Sequence, residues 1–536
     1  MHNRETSVAD RYWHDTFHDS TSLLAKGVGE EGAPDEPPKF KAYRGLARHR
    51  LPQWTPMRLG GVGAAFGPAV DGSPAPAGLT DEVLGALLYY GYGFSRVDVG
   101  AVGGWPYHRL VPSARCFYPT ELYVWLPERD GIPGGVYHYD QLHHALVELR
   151  CGVDPDLPVA ALDSALGSVE AVLLLTSHYW KTAFRYRHYA YRLCSQEAGM
   201  VAGNLLLVAR SLGLSGHLHY QFLDDVLDRL LGVEQGQERT VAVVPVYRDT
   251  SDAPAGPRRD GRRTTSAELL DGLAEIRPRF IDVAKDLTLA SSVYELDRHS
   301  VLDTTAEFAS PCGDGNGATN GAVSVPAGST RLDLANGSDR PVDLSTALRE
   351  RHSGGTLFRP VRRTMPADDL ARIVRYALAP YPSDLGPGPY SACYLVVQDV
   401  AGTPPGVYRC GPDGTLWRIP NTPPDPINEL AMALGPPVTD YRNVNVVAYV
   451  VGDRSWATSR LGNRGYRILN QDAGLVAQRI CVLSGAAGFA ARPANGYAVG
   501  GIQSMLGIDD PGLLPMFQIA IGYRATTAQY EMPIVF

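Results

Sequence analysis

One pattern of residues occurs twice in this chain of 536 residues. A Tyr-Arg pair, a Gln, an Ala-Gly pair and a Val-Ala pair recur in the same order 275 positions apart: Tyr191-Arg192, Gln196, Ala198-Gly199 and Val201-Ala202, then Tyr466-Arg467, Gln471, Ala473-Gly474 and Val476-Ala477. Upstream, Tyr123 and Gly135-Val136-Tyr137 recur as Tyr394 and Gly406-Val407-Tyr408, each 271 positions later. Because nearly one offset relates all these matches, the chain is predicted to contain two copies of one domain.

The segment between the two copies has a different composition. Residues 249–266 are rich in Pro, Gly and Arg. Ser310–Asp333 consists mainly of small and polar residues, which predicts disorder. Between them, Ala267–Leu302 has apolar residues at helical spacing, which predicts one or two connecting helices. We therefore predict an N-terminal domain over 1–250, a helical bridge and flexible linker over 251–334, and a C-terminal domain over 335–536.

Each copy combines a long amphipathic helix with short strand-like runs. The helices follow the Tyr-Arg pairs, and their apolar stripes extend over 198–212 and 473–488. Candidate strands rich in β-branched and aromatic residues flank them: 121–126, 241–246, 394–398, 444–451 and 517–522. The predicted fold class is α+β, with the two tandem domains packed on each other as an intramolecular pseudo-dimer, or as part of a higher oligomer.

Composition excludes several classes of protein. With 49 basic and 57 acidic residues the formal net charge is −8, so no nucleic-acid partner is expected. The sequence contains no run of about 18 uncharged apolar residues, so no membrane span is predicted. The N-terminal residues lack the apolar core of a signal peptide, and the seven cysteines form no CxxC pair. These features predict a cytoplasmic protein with reduced thiols and no metal site.

Three segments carry candidate chemistry. Two arginines and a serine in 349–355 suit a phosphate, although an Arg-rich loop is also typical of a solvated surface. The Pro-Ser turn in 109–115 suits a planar heterocycle, although a plain β-turn has the same residues. Basic and aromatic residues alternate in 180–192, which locally fits a nucleic-acid stacking surface, but the acidic whole argues against that use.

Together, and in this chain order, these segments resemble the SagB-type azoline dehydrogenases, a branch of the flavin-dependent nitroreductase fold. The resemblance includes Phe40-Lys41, the Gly134–Tyr139 run and the Gln196–Gly199 helix, and the second copy resembles the same domain over 351–524. It implies FMN as cofactor and oxidation of thiazolines or oxazolines to azoles in a ribosomally made precursor peptide. It also implies a cyclodehydratase partner, and fused two-domain members occur in thiopeptide-like pathways.

The resemblance further implies one composite flavin site made by both copies. The second copy would supply Arg351, Ser353, Asn495, Gly496 and Arg524, and the first would supply Arg109, Pro112, Ser113, Ala114, Arg115 and the catalytic residues Tyr186, Arg185 and Lys181. The reciprocal site lacks its parts: Gly388–Ala392 has no Pro-Ser turn, Leu461 aligns with Tyr186, and Asp15–Ser22 has no arginine. We therefore predict one FMN per chain.

The proton acceptor is expected to be Tyr186. The family has a Lys-Tyr pair where this chain has Arg185-Tyr186, and arginine cannot act as a base near neutral pH. A neighbouring cation would lower the tyrosine pKa, which assigns that role to Arg185, and Lys181 is a substitute base one helical turn earlier. The alternative is that Tyr186 only packs against aromatic neighbours.

Two other functions remain open at this point. One is an NAD(P)H-dependent nitro- or ene-reductase, although no nicotinamide-binding fingerprint is present. The other is a non-catalytic scaffold subunit of a peptide-modifying complex. Flavin reoxidation by dioxygen is expected for the dehydrogenase.

Overall fold

Apolar strands and two long helices hold most of the buried residues in the computed structural model of the chain. The structure describes residues 2–19, 23, 36–52, 57–66, 78–99, 106–129, 131–164, 169–248, 263–311, 325–334, 342–433, 438–525 and 530–534.

The α-helices are numbered here in chain order: α1 Ser7–Phe17, α2 Val62–Phe66, α3 Asp81–Tyr92, α4 Asp156–Leu162, α5 Trp180–Tyr186, α6 Ala190–Ser211, α7 Asp224–Leu231, α8 Ser266–Leu270, α9 Ser291–His299, α10 Leu344–Glu350, α11 Ala367–Ala377, α12 Pro426–Ala433, α13 Arg454–Leu461, α14 Arg464–Ala486 and α15 Val499–Leu506. The strands are β1 Arg48–Arg50, β2 Phe94–Val99, β3 Tyr107–Arg109, β4 Thr120–Leu126, β5 Gly135–Asp140, β6 Ala145–Cys151, β7 Val169–His178, β8 Ser215–Gly216, β9 Glu238–Tyr247, β10 Thr330–Leu332, β11 Ala392–Val397, β12 Gly406–Cys410, β13 Leu416–Arg418, β14 Val446–Asp453, β15 Phe489–Ala494, β16 Leu513–Tyr523 and β17 Tyr530–Pro533.

Each copy forms one seven-stranded antiparallel sheet, and a further three-stranded sheet has the order β17-β2-β3. The strand order is β1-β6-β5-β4-β7-β9-β8 in the first copy and β10-β13-β12-β11-β14-β16-β15 in the second. Central strands such as β4 and β11 are buried along their whole length, so their apolar runs pair inside the sheet and pack against helices on its face. Because the two orders correspond strand for strand, the duplication seen in the sequence is confirmed as two tandem α+β domains.

The two domains meet along helices α6 and α14, which cross at the duplicated glycines. A Cβ added at Gly199 would lie 1.8 Å from the carbonyl oxygen of Gln471, and one added at Gly474 would lie 2.0 Å from that of Gln196. Only glycine therefore permits this approach of the two backbones. Each Gln side chain also bonds a strand of the opposite domain, since Nε2 of Gln196 donates to Met516 and Nε2 of Gln471 donates to Val241, both at 2.9 Å.

The first helix and the last strand each pack on the opposite domain. Helix α1 packs on the second domain, where the Ala9 amide donates to Oδ1 of Asn463 at 2.9 Å. Conversely, β17 at the C-terminal end pairs with β2 of the first domain, with Glu531 opposite Asp98. The halves thus form the predicted intramolecular pseudo-dimer, in which each half completes the other.

The bridge contains two helices, as predicted, but both are short. Within 267–302 the structure has α8, α9 and a 3-10 turn, and between the helices Phe280 forms a β-bridge with Tyr43. The prediction of disorder for Ser310–Asp333 is wrong for β10, which pairs with β13 of the second sheet. Pairing with a sheet edge overrides the weak local preference of a polar segment. Residues 312–324 of that segment lie outside the described residues. The domain boundaries at 250 and 334 stay a prediction.

Candidate functional site

The turn between β3 and β4 has an unusual backbone. Three of its non-glycine residues have positive φ: Arg115 at 50°, Cys116 at 59° and Tyr118 at 50°. Each such residue costs about 1–3 kcal/mol, so the surrounding contacts must hold the turn in place. One of these contacts is the Tyr118 amide, which donates to Oγ of Ser113 at 2.9 Å. Strain of this kind concentrates at ligand-binding sites.

Arg351 of the second domain reaches this turn. It follows α10 and is buried, and its guanidinium donates to the carbonyl oxygens of Leu110 and Arg109, both at 3.1 Å. A third bond goes to Oγ of Ser353 at 3.2 Å. Burial, together with the nearby Arg96, lowers the pKa of Arg351. The arginine cluster of one domain and the Pro-Ser turn of the other are thus brought together across the domain interface.

A second arginine, which the sequence reasoning missed, lies beside this cluster. Arg492 on β15 donates to the carbonyl oxygens of Gly355 at 2.8 Å and Thr356 at 3.0 Å. Burial lowers the pKa of Arg492. Neither Arg351 nor Arg492 forms an ion pair with any carboxylate in the described part of the chain. Two largely buried positive charges held only by carbonyl and hydroxyl oxygens suit an anionic ligand such as a phosphate.

The Asn495-Gly496 turn lies next to the central helix. Nδ2 of Asn495 donates to Oε1 of Gln196 at 2.6 Å, across the domain interface. Oδ1 of Asn495 is buried and has no hydrogen-bond partner among the described residues, while Gly496 is exposed. A buried acceptor without a donor is costly, so a ligand donor would satisfy it. Pro112 and Ala114 on the strained turn are half-buried, which leaves part of that turn accessible.

Arg524 lies outside this cluster in the described contacts. It is exposed and pairs with Glu531 on β17. The same carboxylate accepts from His352 at 3.0 Å and lies 3.5 Å from Nε of Arg96. The hydrogen bond from His352 and the two arginines lower the pKa of Glu531 to about 2. Glu531 therefore offsets the positive charge of Arg524, which the sequence reasoning had assigned to the cofactor.

Tyr186, the last residue of α5, lies beside the strained turn. The positive charges of Arg115 and Arg185 both favour the phenolate of Tyr186, Arg115 more strongly. Burial of the phenol outweighs both cations, so the pKa of Tyr186 is raised rather than lowered. The expectation of a lowered pKa was therefore wrong, and the larger cationic effect comes from Arg115, not from Arg185.

Lys181 is not a freely available base. Its Nζ forms an ion pair with Oε1 of Glu121 at 2.7 Å, and both side chains are almost completely buried. Burial lowers the pKa of Lys181, whereas Glu121 raises it. The same carboxylate is held by His138 at 3.1 Å, which ties Lys181 into the interior of the first sheet.

The Arg109 side chain also points into the interior. Its guanidinium lies over the rings of Tyr92 at 4.4 Å, Tyr118 at 4.7 Å and Phe94 at 5.4 Å. None of its side-chain nitrogens has a hydrogen-bond partner among the described residues, so cation–π contacts hold it there. Arg109 takes part in the site through its backbone: its carbonyl accepts from Arg351, and its amide donates to the phenol oxygen of Tyr118 at 2.9 Å. Sequence spacing could not reveal which way this side chain points.

The reciprocal position is filled by protein. Tyr220 stands where the duplication places the counterpart of Asn495. Its amide and that of Gln221 donate to the two carboxylate oxygens of Asp384, at 3.0 and 2.9 Å. The phenols of Tyr220 and Tyr381 are 2.9 Å apart. Burial raises the pKa of Asp384 to about 6. The contacts that would be free for a ligand at the first position are here satisfied between the two domains.

Comparison with known proteins identifies the family of this chain. A model described as the nitroreductase family matches residues 75–246. A protein of Methanocaldococcus jannaschii named as a candidate nitroreductase, MJ1384, is 32% identical over 142 residues, which are 26% of this chain and 70% of that protein. The chain belongs to the nitroreductase family.

Two further relatives have names that state a role. The trifolitoxin-processing protein TfxB of Rhizobium leguminosarum bv. trifolii is 24% identical over 236 residues, 42% of this chain and 62% of TfxB. The microcin B17-processing protein McbC of Escherichia coli is 29% identical over 168 residues, 30% of this chain and 59% of McbC. The chain thus spans about six-tenths of the length of these two proteins.

The tandem arrangement has a counterpart of known structure. The crystal structure of a candidate nitroreductase from Anabaena variabilis superposes with a TM-score of 0.71 at 18% identity, covering 97% of this chain and 100% of the other. This likeness shows that the two-domain fold occurs elsewhere. Among the described residues of the present chain, no helix has both the length and the apolar character needed to cross a membrane.

Proposed function

We propose that this chain is an FMN-dependent azoline dehydrogenase of the SagB type, which oxidises thiazoline or oxazoline rings in a ribosomally made precursor peptide to azoles. The observation that carries the proposal is the contact of Arg351 with the carbonyls of Arg109 and Leu110. This contact joins a cationic cluster from one domain to the strained turn of the other. The names of TfxB and McbC, a trifolitoxin-processing and a microcin B17-processing protein, support a role in the processing of a precursor peptide.

The residues at this position fit the phosphate of FMN. Arg351, Arg492 and Ser353 would bind it, since they supply positive charge and a hydroxyl without a competing carboxylate. Oδ1 of Asn495 and the turn from Pro112 to Arg115 would bind the ring system. Arg524 would contribute only at the margin, because it pairs with Glu531. When bound, FMN supplies a two-electron acceptor that dioxygen can reoxidise.

Tyr186 is the proposed proton acceptor, in its phenolate form. The positive charge of Arg115 stabilises the phenolate, while burial opposes it. Arg185 adds a second positive charge near the same oxygen. Because the raised pKa leaves a small phenolate fraction near neutral pH, the proton-transfer rate should increase with pH. Lys181 would then act as a structural partner of Glu121 rather than as a base.

Because the domain is duplicated, a single chain would be enough to form the FMN site. With the reciprocal position filled by Tyr220, Asp384 and Tyr381, we propose one FMN per chain. The 1–250 and 335–536 domains would each contribute half of that site, and the bridge over 251–334 would connect them. A cyclodehydratase would supply the azoline-containing peptide, since azolines arise by loss of water from Cys, Ser or Thr residues; thiopeptide-like products are the proposed context.

The first test is a visible absorption spectrum of the purified protein with FMN stoichiometry. We expect a flavin spectrum and about one FMN per chain; about two per chain would contradict the single site. If the protein is incubated with FMN and is colourless once free FMN has been removed, that result would contradict the enzyme and favour a scaffold.

The second test separates the two oxidoreductases. Without oxygen, a thiazoline-containing peptide should bleach the flavin and yield one thiazole, two mass units lighter, per FMN reduced. Admission of oxygen should restore the flavin colour and allow the remaining thiazoline to be converted. Bleaching by NADPH, with no reaction of the thiazoline peptide, would instead identify a nitro- or ene-reductase.

A further inference from the structure

We propose that an exposed strip beside the composite site is a docking surface for an acidic, partly apolar segment of the peptide substrate. We call it the arginine strip and define it as Leu357, Arg359, Val361, Arg362, Arg363 and Val438. The proposal rests on the proposed function, since it concerns the substrate of the same site.

The strip has the alternation of an extended segment with one buried face. Phe358 and Pro360 point inward, and the amide of Phe358 donates to the carbonyl of Val438 at 2.8 Å. Leu357 and Val361, which flank these two residues, are 56% and 48% exposed, and Val438 is 53% exposed. Successive side chains of an extended segment point to opposite faces, so over 357–361 the outward face presents apolar and arginine side chains alternately; Arg362 and Arg363, which follow, are both exposed.

The strip is also strongly basic in a chain whose net charge is −8. Arg359, Arg362 and Arg363 are all exposed. Within the described residues, neither Arg362 nor Arg363 forms an ion pair, and Arg363 instead lies 4.7 Å over the Tyr523 ring. Three arginines close together repel one another, so they favour a partner that brings carboxylates.

The strip is continuous with the composite site. It begins directly after Ser353 and the Gly354-Gly355 turn, where both glycines have positive φ, 83° and 78°. Arg492 holds this turn through the carbonyls of Gly355 and Thr356. At the other end, the Val361 amide donates to the carbonyl of Tyr523 at 2.9 Å, which fixes the strip on the second sheet. A peptide with one residue in the composite site could therefore extend along the strip.

The side chains favour a peptide over other anionic partners. The exposed apolar members of the strip are aliphatic, whereas single-stranded nucleic acid binds through exposed aromatic rings on which bases stack. Alternating aliphatic and basic side chains on an extended segment match a peptide whose acidic and apolar residues alternate in the same way.

The test is fluorescence anisotropy with the full-length protein and a fluorescein-labelled 12-residue peptide in which Asp and Glu alternate with Leu. We expect binding that weakens with added salt. The double variant Arg362→Glu/Arg363→Glu should bind roughly tenfold or more weakly. The matched control, Arg44→Glu/Arg50→Glu, changes charge equally at exposed positions near the far edge of the first sheet, and should bind as the wild type does. Thermal midpoints close to the wild-type value establish that both double variants fold.

Several results would overturn the docking surface. These are no binding of the acidic peptide, equal affinity for a peptide with Lys at the acidic positions, or equal weakening by both double variants. Tighter binding to phosphatidylserine vesicles or to oligo-dT than to the acidic peptide would overturn the choice of partner.

Oxidation of a short thiazoline compound without acidic residues separates the two proposals. If the wild type oxidises it but does not bind the acidic peptide, only the docking surface is wrong. If the acidic peptide binds as expected but no thiazoline is oxidised, the docking surface stands and the proposed function is wrong.

Discussion

Arg351 of the second domain donates a 3.1 Å hydrogen bond to the carbonyl oxygen of Arg109 in the first domain. These residues are 242 positions apart, and the bond places a buried guanidinium without a carboxylate partner beside the strained turn. Each domain therefore supplies something the other lacks, a positive charge on one side and a constrained backbone on the other.

Replacement of the buried cation should weaken cofactor binding. Arg351→Ala removes charge-assisted hydrogen bonds worth about 1.5–3 kcal/mol, so the Kd for FMN should rise roughly 10- to 150-fold. Titration of the apoprotein with FMN, followed by flavin fluorescence, measures this. His18→Ala, an exposed change at the end of α1 in the counterpart region, should leave the Kd unchanged. Equal weakening by both variants would contradict a single composite site.

Loss of the Tyr186 hydroxyl should separate binding from chemistry. Tyr186→Phe should retain FMN but lose azole formation by about 10²-fold or more, because a positioned proton acceptor contributes on that order. Tyr189→Phe is the matched control: it removes a buried hydroxyl that has no hydrogen-bond partner among the described residues. Mass spectrometry of a thiazoline peptide measures both. Full activity of Tyr186→Phe would remove this residue from the catalytic role.

The raised pKa of Tyr186 predicts how the rate depends on pH. The phenolate is the active form, so kcat should increase with pH toward the tyrosine pKa. Arg115→Ala removes the largest stabilisation of the phenolate and should move this increase to higher pH, whereas Arg185→Ala should move it less. A pH–rate profile that is the same in all three proteins would show that Tyr186 does not titrate in the reaction.

The close helix crossing should not tolerate a methyl group. Gly199→Ala places a Cβ against the backbone oxygen of Gln471, and overpacking of this kind costs typically 1–3 kcal/mol or more. Gly501→Ala on α15, where nothing lies within 4 Å of the added Cβ, should instead stabilise the helix by about 0.5–1 kcal/mol. Thermal midpoints should therefore shift in opposite directions, and a neutral Gly199→Ala would contradict the crossing.

A buried neutral histidine should make stability depend on pH. Burial, with a further contribution from His217, holds the pKa of His219 well below its usual value. Below about pH 6.5 the unfolded chain gains a proton that the folded protein does not, so stability falls as pH falls, by up to about 1.4 kcal/mol per pH unit. Urea unfolding at pH 5–8 should therefore show a weaker pH dependence for His219→Phe. His14→Phe, at an exposed position, should keep the wild-type pH dependence.

Most of the fold could be predicted from local patterns. The repeated Tyr-Arg and Ala-Gly pairs identified two copies. Apolar spacing located α6, α14 and the central strands, because helical and strand periodicity depends on residues close together in the chain. Disorder was predicted for the polar segment that contains β10, but β10 is a strand, because it pairs with an edge strand about 85 residues away.

The amino-acid sequence by itself determined that the chain is a duplicated α+β protein whose halves differ in which charged residues they carry. Only the tertiary structure decided how those residues act. In the folded protein the Arg109 side chain lies among aromatic rings, and Arg524 pairs with Glu531. Arg492 lies beside the arginine cluster, and burial raises the pKa of Tyr186. The physical reason is that side-chain direction, burial and charge pairing depend on contacts between the two domains, which residue order along the chain does not specify.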